Sequence, residues 1–247
     1  MARWIARNSR LARSYHLRQG LFVLATFFFL FFLGLFCYLA ERLFVLWHLA
    51  FLVVSFVFFL YGRLHAKTLR ILWQGYRGER YVFRRLKALP KNYTVISNAR
   101  VRGLDRTYEI DAIVFGPTEI FVMEIKNLRG SLLMKGKEAV LIKRARSGRS
   151  YEKKLEPFWP DLALRMQAVR QALRQGGQGN LRVSGLLVFA KDTTMQGTLS
   201  WVPPHDVKGA KVLWASHGDL DQWIQEQKRW AALPPGDIEM FLGRLPT

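Results

Sequence analysis

Between Leu21 and Ala40 no residue is charged, and between Leu43 and Gly62 the only titratable side chains are His48 and Tyr61. A helix of 20 residues rises about 30 Å, the thickness of a bilayer's hydrocarbon core. Only Glu41 and Arg42 separate the two runs, so the pattern predicts spans at about 21–40 and 43–62, joined by a very short polar turn. A cleaved signal peptide has a shorter apolar core with a small-residue cleavage site, and here a second apolar run follows at once. The competing reading is two buried helices of a soluble core, where uncharged Phe-rich runs of this length are rare. Twelve of the 18 Phe lie between Phe22 and Phe59. His48 reads as an interfacial or helix-packing residue. The single cysteine, Cys37, lies in the first run, which excludes an intramolecular disulfide and a Cys-based zinc site.

Flanking charge gives the expected orientation, because Lys and Arg are retained on the cytoplasmic side. Arg3, Arg7, Arg10, Arg13 and Arg18 precede the first run; Arg63, Lys67, Arg70, Arg77 and Arg80 follow the second. The connecting turn has one Arg. Both termini are therefore expected in the cytoplasm, with the protein in a bacterial inner membrane and residues 63–247 forming one cytoplasmic domain after the 1–62 anchor. The whole chain carries +20, of which residues 63–247 retain +15. Such a surplus calls for a polyanionic partner, either nucleic acid or the anionic lipid of the inner leaflet.

Within 63–247 the pattern predicts an α/β domain, a mixed sheet covered by helices. Leu69, Leu72, Tyr76, Phe83 and Leu86 recur at helical spacing, giving a helix over Leu64–Leu89 that ends at Pro90. Strands follow at Tyr93–Asn98, Tyr108–Phe115, Ile120–Ile125, Ser131–Met134 and Val140–Arg144. The basic stretch Lys143–Lys154 reads as an exposed loop. A helix from Pro160 to about Gln175 precedes strands at Val183–Ala190 and Ala210–Trp214, and helices near Asp219–Trp230 and Gly236–Leu242 close the chain.

The most informative chemistry lies in the pair of strands around Gly116. If Gly116–Glu119 is a short turn with Pro117 and Thr118 at its tip, opposed positions sum to 235 and Asp111 faces Glu124. Like charges directly opposed across strands are destabilising. Alternation puts Ile113, Ile120, Val122, Glu124 and Lys126 on one face and Ile110, Ala112, Val114, Phe121, Met123 and Ile125 on the other. Both faces are apolar, so the desolvation of two carboxylates and an ammonium needs compensation. A hard divalent cation such as Mg²⁺, with Mn²⁺ as an alternative, would supply it. Together with Lys126 the group then suits phosphodiester hydrolysis. The plainer reading is an ion-pair cluster at the sheet edge with Lys126 bridging Asp111 and Glu124. Glu79 lies on the apolar stripe of its helix, seven after Leu72 and four before Phe83, and so is expected to face the sheet as a third carboxylate. Its alternative is to snorkel at the layer edge and pair with an Arg.

The residues Gly78-Glu79, Glu109-Ile110-Asp111-Ala112-Ile113-Val114 and Phe121-Val122-Met123-Glu124-Ile125-Lys126-Asn127-Leu128-Arg129-Gly130 resemble the nuclease-related domain family (NERD). That family is a branch of the restriction-endonuclease-like PD-(D/E)xK superfamily, and the similarity covers about residues 72–190. The resemblance implies a restriction-endonuclease-like fold, with Asp111 and Glu124 as metal ligands, Lys126 as the water-positioning cation and Glu79 as an accessory acid. It also implies a helix glutamine, for which Gln167 is the candidate. Where family members commonly have Gln before the Ile-Asp pair, this chain has Glu109; Phe158-Trp159-Pro160 stands for the usual Asn-Pro lead-in.

Other chemistries find less support. Gly130–Lys137 has the wrong glycine spacing for a phosphate loop, and Glu138 stands where Ser or Thr is needed. The five His include no H-x-x-x-H pair, no G-x-S-x-G occurs, and Gly176-Gly177-Gln178-Gly179 reads as a helix-ending loop. Trp201 and Trp214 suit base stacking or, more commonly, core or interface packing. The leading expectation is a membrane-anchored, Mg²⁺-dependent nuclease acting on nucleic acid, DNA ahead of RNA. The alternatives are a catalytically silent, membrane-tethered module binding nucleic acid or an acidic partner, and simple docking of the basic domain on anionic lipid.

Overall fold

The computed structural model describes residues 2–6, 10–39, 45–116, 119–135, 138–145, 147–156, 158–176, 181–195, 210–214 and 218–227. The turn residues Glu41 and Arg42, the hairpin tip Pro117-Thr118, Trp201 and the expected helix Gly236–Leu242 lie outside the described residues, as do the side chains of His48 and Trp214. The chain divides into two compact units, Ser9–Tyr76 and the remainder, Met1–Asn8 with Arg77–Thr247.

In the first unit, helix α1 (Arg10–Leu39) lies antiparallel to the first part of α2 (Val45–Leu86). Phe28 and Phe32 stack on Phe58, with centroids 5.7 and 6.2 Å apart, and Tyr15 stacks on Tyr76 at 6.0 Å. Small Ala25 and Ser55 are buried, while Phe27, Phe31, Phe56, Val53 and Leu60 are exposed. Both helices are long and apolar enough to cross a membrane, over Ala12–Tyr38 and Leu52–Leu86. The sequence pattern separates the second apolar run from an amphipathic helix beginning at Leu64, but the two form one continuous helix. Gly62 does not interrupt it: an isolated helical glycine costs only about 1 kcal/mol relative to Ala, and the flanking Val57–Tyr61 and Arg63–Lys67 are good or tolerable helix residues.

The second unit is built on a six-stranded mixed sheet in the order β1-β2-β3-β4-β8-β10. Its strands are β1 (Arg3–Ala6), β2 (Thr94–Arg102), β3 (Thr107–Phe115), β4 (Glu119–Lys126), β8 (Arg182–Phe189) and β10 (Ala210–Trp214). Strands β2, β3 and β4 form an antiparallel meander; β1, β8 and β10 join it in parallel. A smaller sheet, β7-β6-β5-β9, consists of β5 (Gly130–Lys135), β6 (Glu138–Arg144), β7 (Ser150–Leu155) and β9 (Thr193–Met195). The stretch Lys143–Lys154, expected as a loop, thus holds the end of β6 and most of β7. Its charges are compatible with a strand because β7 is an edge whose side chains are exposed. At the entry to β5, Gly130 has φ +137°, and a Cβ there would lie 2.5 Å from the Ile142 carbonyl oxygen.

Helix α3 (Phe158–Gln175) covers one face of the large sheet, packing Leu162, Met166, Val169 and Leu173 with Ile113, Val122, Leu187 and Phe189. The other face packs with Val82 and Leu86 of α2 and with Leu220, Trp223 and Ile224 of α4 (Asp219–Gln227). Arg85 and Asp221 pair across those two helices. Pro160 sits in the first turn of α3, where its missing N–H costs no intrahelical bond.

Strand β1 was not legible as a strand: it is four residues inside a basic segment. It makes the N-terminus part of the second unit, with Arg3 donating its backbone N–H to the Tyr93 carbonyl at 3.0 Å and Trp4 meeting Phe83 edge-on at 5.5 Å. The apolar helices therefore enter the chain between the first strand of this sheet and all the others.

Strict alternation along β3 fails at one point. Tyr108 and Ile110 belong to the cluster on the α3 side, whereas Ala112 and Val114 belong to the α2 side. The expectation that Ile110 and Ala112 share a face is corrected accordingly. The partner strand changes face at the same level, with Val95 on the α2 side and Ala99 and Val101 on the α3 side. Between the pairs Ser97↔Ala112 and Ala99↔Ile110 stands Asn98 at φ +53°, a left-handed conformation that Asn tolerates better than most residues. The sheet turns over there, opposite Asp111.

Candidate active site

The expected hairpin register is observed. Ala112, Ile113, Val114 and Phe115 oppose Met123, Val122, Phe121 and Ile120, each pair summing to 235. The turn is closed by the Gly116 amide donating to the Glu119 carbonyl at 3.0 Å. The β3–β4 ladder stops at Ala112↔Met123, one step short of Asp111 and Glu124, where β3 changes face. Past that point the backbone N–H of Ile125 donates to Asp111 Oδ2 at 2.6 Å. The face switch thus turns Asp111 from a ladder residue into a side-chain cap on the end of β4.

Glu124 is 4% exposed. Its Oε1 lies 2.6 Å from Lys126 Nζ, as two residues on one face of a strand allow. Its Oε2 lies 2.9 Å from Arg165 Nη1, close enough for an ion pair but not aligned as a hydrogen bond. Arg165 comes from α3, and its Nε donates to the Glu109 carbonyl at 3.0 Å. Lys126 Nζ also sits 5.8 Å from the centroid of the Phe158 ring. These residues open on a hollow of about 320 Å³ lined by Glu124, Lys126, Lys153, Lys154, Phe158 and Asp161.

Glu79 acts on the same group. Burial, then the charges of Glu124 and Glu79, holds the Asp111 carboxyl well above the usual carboxylate range, against the opposing effects of the Ile125 amide and Lys126. The helix comes close because position 78 is glycine: a Cβ there would stand 2.3 Å from Asn127 Cβ. Gly78 lets α2 rest on the residue that follows β4, which brings Glu79 to the strand end.

Gln167 is placed elsewhere. It is exposed and lines a separate hollow of about 280 Å³ with Gly103, Asp105, Tyr108 and Gln171. The α3 residue that reaches Glu124 is Arg165, two positions earlier. Sequence reasoning missed it, although its signal was available: an Arg flanking the stripe Leu162, Met166, Val169 and Leu173 needs a carboxylate in the layer it faces. Lys153 and Lys154 were missed with β7.

The model of the nuclease-related domain (NERD) matches residues 74–190. Residues 74–190 are thus similar to a NERD domain. Neither a curated protein nor a solved structure matches the chain. The match begins in α2 and ends just after β8, so it takes in Glu79, the face switch at Asp111, the β4 carboxylate and α3, and leaves out α1 and the part of α2 before residue 74.

A divalent ion at this site would meet the hard oxygens of Asp111 and Glu124, in a cluster where the charges of Glu124 and Glu79 both act on Asp111's protonation. That donor set fits an ion such as Mg²⁺, which binds through one or two carboxylates and keeps several waters. Among the described residues no group of three or more His, Cys, Asp or Glu is arranged to hold a metal. Glu79, expected as a third metal ligand, acts on Asp111 through its charge, and an ion would share Glu124 with Lys126 and Arg165.

Proposed function

We propose that this protein is a membrane-anchored, metal-dependent hydrolase of nucleic-acid phosphodiester bonds, with Asp111, Glu124 and Lys126 as its reacting centre. The observation that carries this reading is the buried Glu124 carboxylate within 2.6 Å of Lys126 at the floor of a hollow that also presents Lys153 and Lys154. Lys153 and Lys154 bind the polyanion through backbone phosphates, a contact of no sequence preference. Lys126, steadied by Glu124 and the Phe158 ring, holds the attacking water or the scissile phosphate's oxygen. Asp111 and Glu124 would hold Mg²⁺, with Mn²⁺ as an alternative; when bound, such an ion neutralises charge on the phosphate and makes a coordinated water more acidic. Glu79 strengthens the local demand for a cation. DNA is preferred to RNA as the substrate.

The anchor is α1 with the apolar part of α2. Both flanks are basic, which favours cytoplasmic termini, and β1 supports one shared side, since it pairs with β2 across the sequence gap that contains both apolar helices. Full-length protein in detergent, incubated with supercoiled plasmid, is expected to nick it in Mg²⁺ and not in chelator.

The engagement of both Glu124 oxygens by cations favours a second reading, a catalytically silent module that holds nucleic acid beside the membrane. It predicts salt-sensitive binding that survives Glu124→Ala, with no product under any metal.

A further inference from the structure

On the opposite face of the sheet from the Lys153–Lys154 hollow, a second cleft of about 240 Å³ lies beside the same strand end, lined by Arg77, Tyr81, Arg84, Asn127, Lys191 and Asp192. Side chains alternate past the end of β4, so Lys126 serves the first hollow and Asn127 the second. Asn127 touches α2 at Gly78, the residue before Glu79. The two clefts therefore flank one strand terminus, and a chain molecule laid across the end of the sheet reaches both.

The second cleft is cationic, and its one carboxylate is already used. Asp192 Oδ1 pairs with Arg77 Nη2 at 3.4 Å, and Oδ2 accepts from Asn127 Nδ2 at 3.3 Å. The Asp192 backbone N–H donates in return to Asn127 Oδ1 at 3.3 Å. Those bonds fix the wall that holds Asp192 and leave its charge compensated. Arg84 and Lys191 are exposed, and among the described residues neither forms an ion pair. Two uncompensated cations in a concave polar site make a receptor for a tetrahedral oxyanion: the guanidinium supplies planar paired donors and the ammonium a point charge.

We infer that this cleft binds a backbone phosphate of the nucleic acid, away from the bond that is cut, and so fixes the path of the strand across the end of β4. The assignment rests on the proposed function for its choice of polyanion, and binding can be measured without turnover.

Full-length protein in detergent would be titrated, in chelator, into a fluorescein-labelled oligonucleotide, single stranded and duplex, over a range of salt, and followed by anisotropy. Replacing Arg84→Ala and Lys191→Ala together is expected to weaken binding on the order of tenfold at 0.1 M salt and to lower the slope of log K against log salt by about 1 to 2. The charge-keeping pair Arg84→Lys with Lys191→Arg is expected to retain most of the slope, and Lys211→Ala to leave the affinity within about twofold of the parent. Unchanged affinity and slope in the double alanine variant would overturn the assignment. So would loss of binding to vesicles containing anionic phospholipid with oligonucleotide binding intact, which would make the cleft a lipid headgroup site. A parent protein that binds through these residues yet never cleaves in Mg²⁺ upholds the cleft and removes the hydrolase reading. A parent that cleaves, with a double variant that binds equally well, does the reverse.

Discussion

Arg165 of α3 and Glu124 of β4 form an ion pair across the layer between helix and sheet, Nη1 to Oε2 2.9 Å, with the carboxylate 5% exposed and the guanidinium side chain 19% exposed. The partners come from elements 41 positions apart in sequence, and the pair compensates a carboxylate that burial would otherwise make costly.

Removing one member of a buried pair leaves a charge without its partner, which typically costs about 3 to 5 kcal/mol. Because Lys126 remains on the other oxygen, Arg165→Met is expected to lose about 2 to 3 kcal/mol in chelator. Added Mg²⁺ should raise its unfolding midpoint more than that of the parent. Near-UV circular dichroism melts in detergent, with and without the ion, test this; equal Mg²⁺ shifts would argue against a cation site at Glu124.

Asp111 sets a pH dependence whose sign follows from its raised pKa. The unfolded chain ionises this carboxyl at its ordinary pKa and the folded chain only at higher pH, so folding is penalised progressively as pH rises through that interval. Asp111→Asn can still accept from the Ile125 amide and removes the penalty. In chelator the variant is expected to melt above the parent at neutral pH, with the gap closing toward the ordinary carboxylate range. A gap independent of pH would contradict the electrostatic account.

Gly78→Ala would put a methyl 2.3 Å from Asn127 Cβ, with no flexible tip to give way. Overpacking of this kind costs about 1 to 3 kcal/mol. Lifting α2 off Asn127 also draws Glu79 from the site, so the cleavage rate should fall together with stability. Chemical denaturation and a cleavage time course check both.

Strand β1 joins the sheet ahead of both apolar helices by pairing with β2, so the proposed anchor would keep residues 3–6 and 94–102 on one side of the membrane. Fusions of a fluorescent reporter at the N-terminus and at the C-terminus are expected to report the same compartment. Trp4→Ala, which removes the edge-on contact with Phe83, is expected to cost about 2 kcal/mol because the ring is only partly buried.

Much of this architecture was legible because local pattern and tertiary packing agree in it. The β3–β4 hairpin could be read from Gly116 and two apolar runs, and its register from a turn of fixed length. The nearness of Glu79 to Asp111 followed from helical phase. Three features went unread. The face switch depends on Asn98 in a left-handed conformation on the neighbouring strand, which no periodicity within β3 encodes. Arg165 reaches Glu124 through a helix–sheet packing offset of two residues, which also leaves Gln167 over a different hollow. Strands β1 and β7 are short, charged edges, and their strand character comes from their partners β2 and β6 rather than from their own composition.

Nicking of supercoiled plasmid in Mg²⁺ by full-length parent, Asp111→Asn and Lys126→Met proteins, each first shown to be folded, tests the proposed chemistry most directly. That chemistry predicts cleavage by the parent that chelator abolishes, and rates lowered at least about a hundredfold in both variants, as expected when a charge at the reacting centre is removed. Cleavage by Asp111→Asn at the parental rate would contradict it.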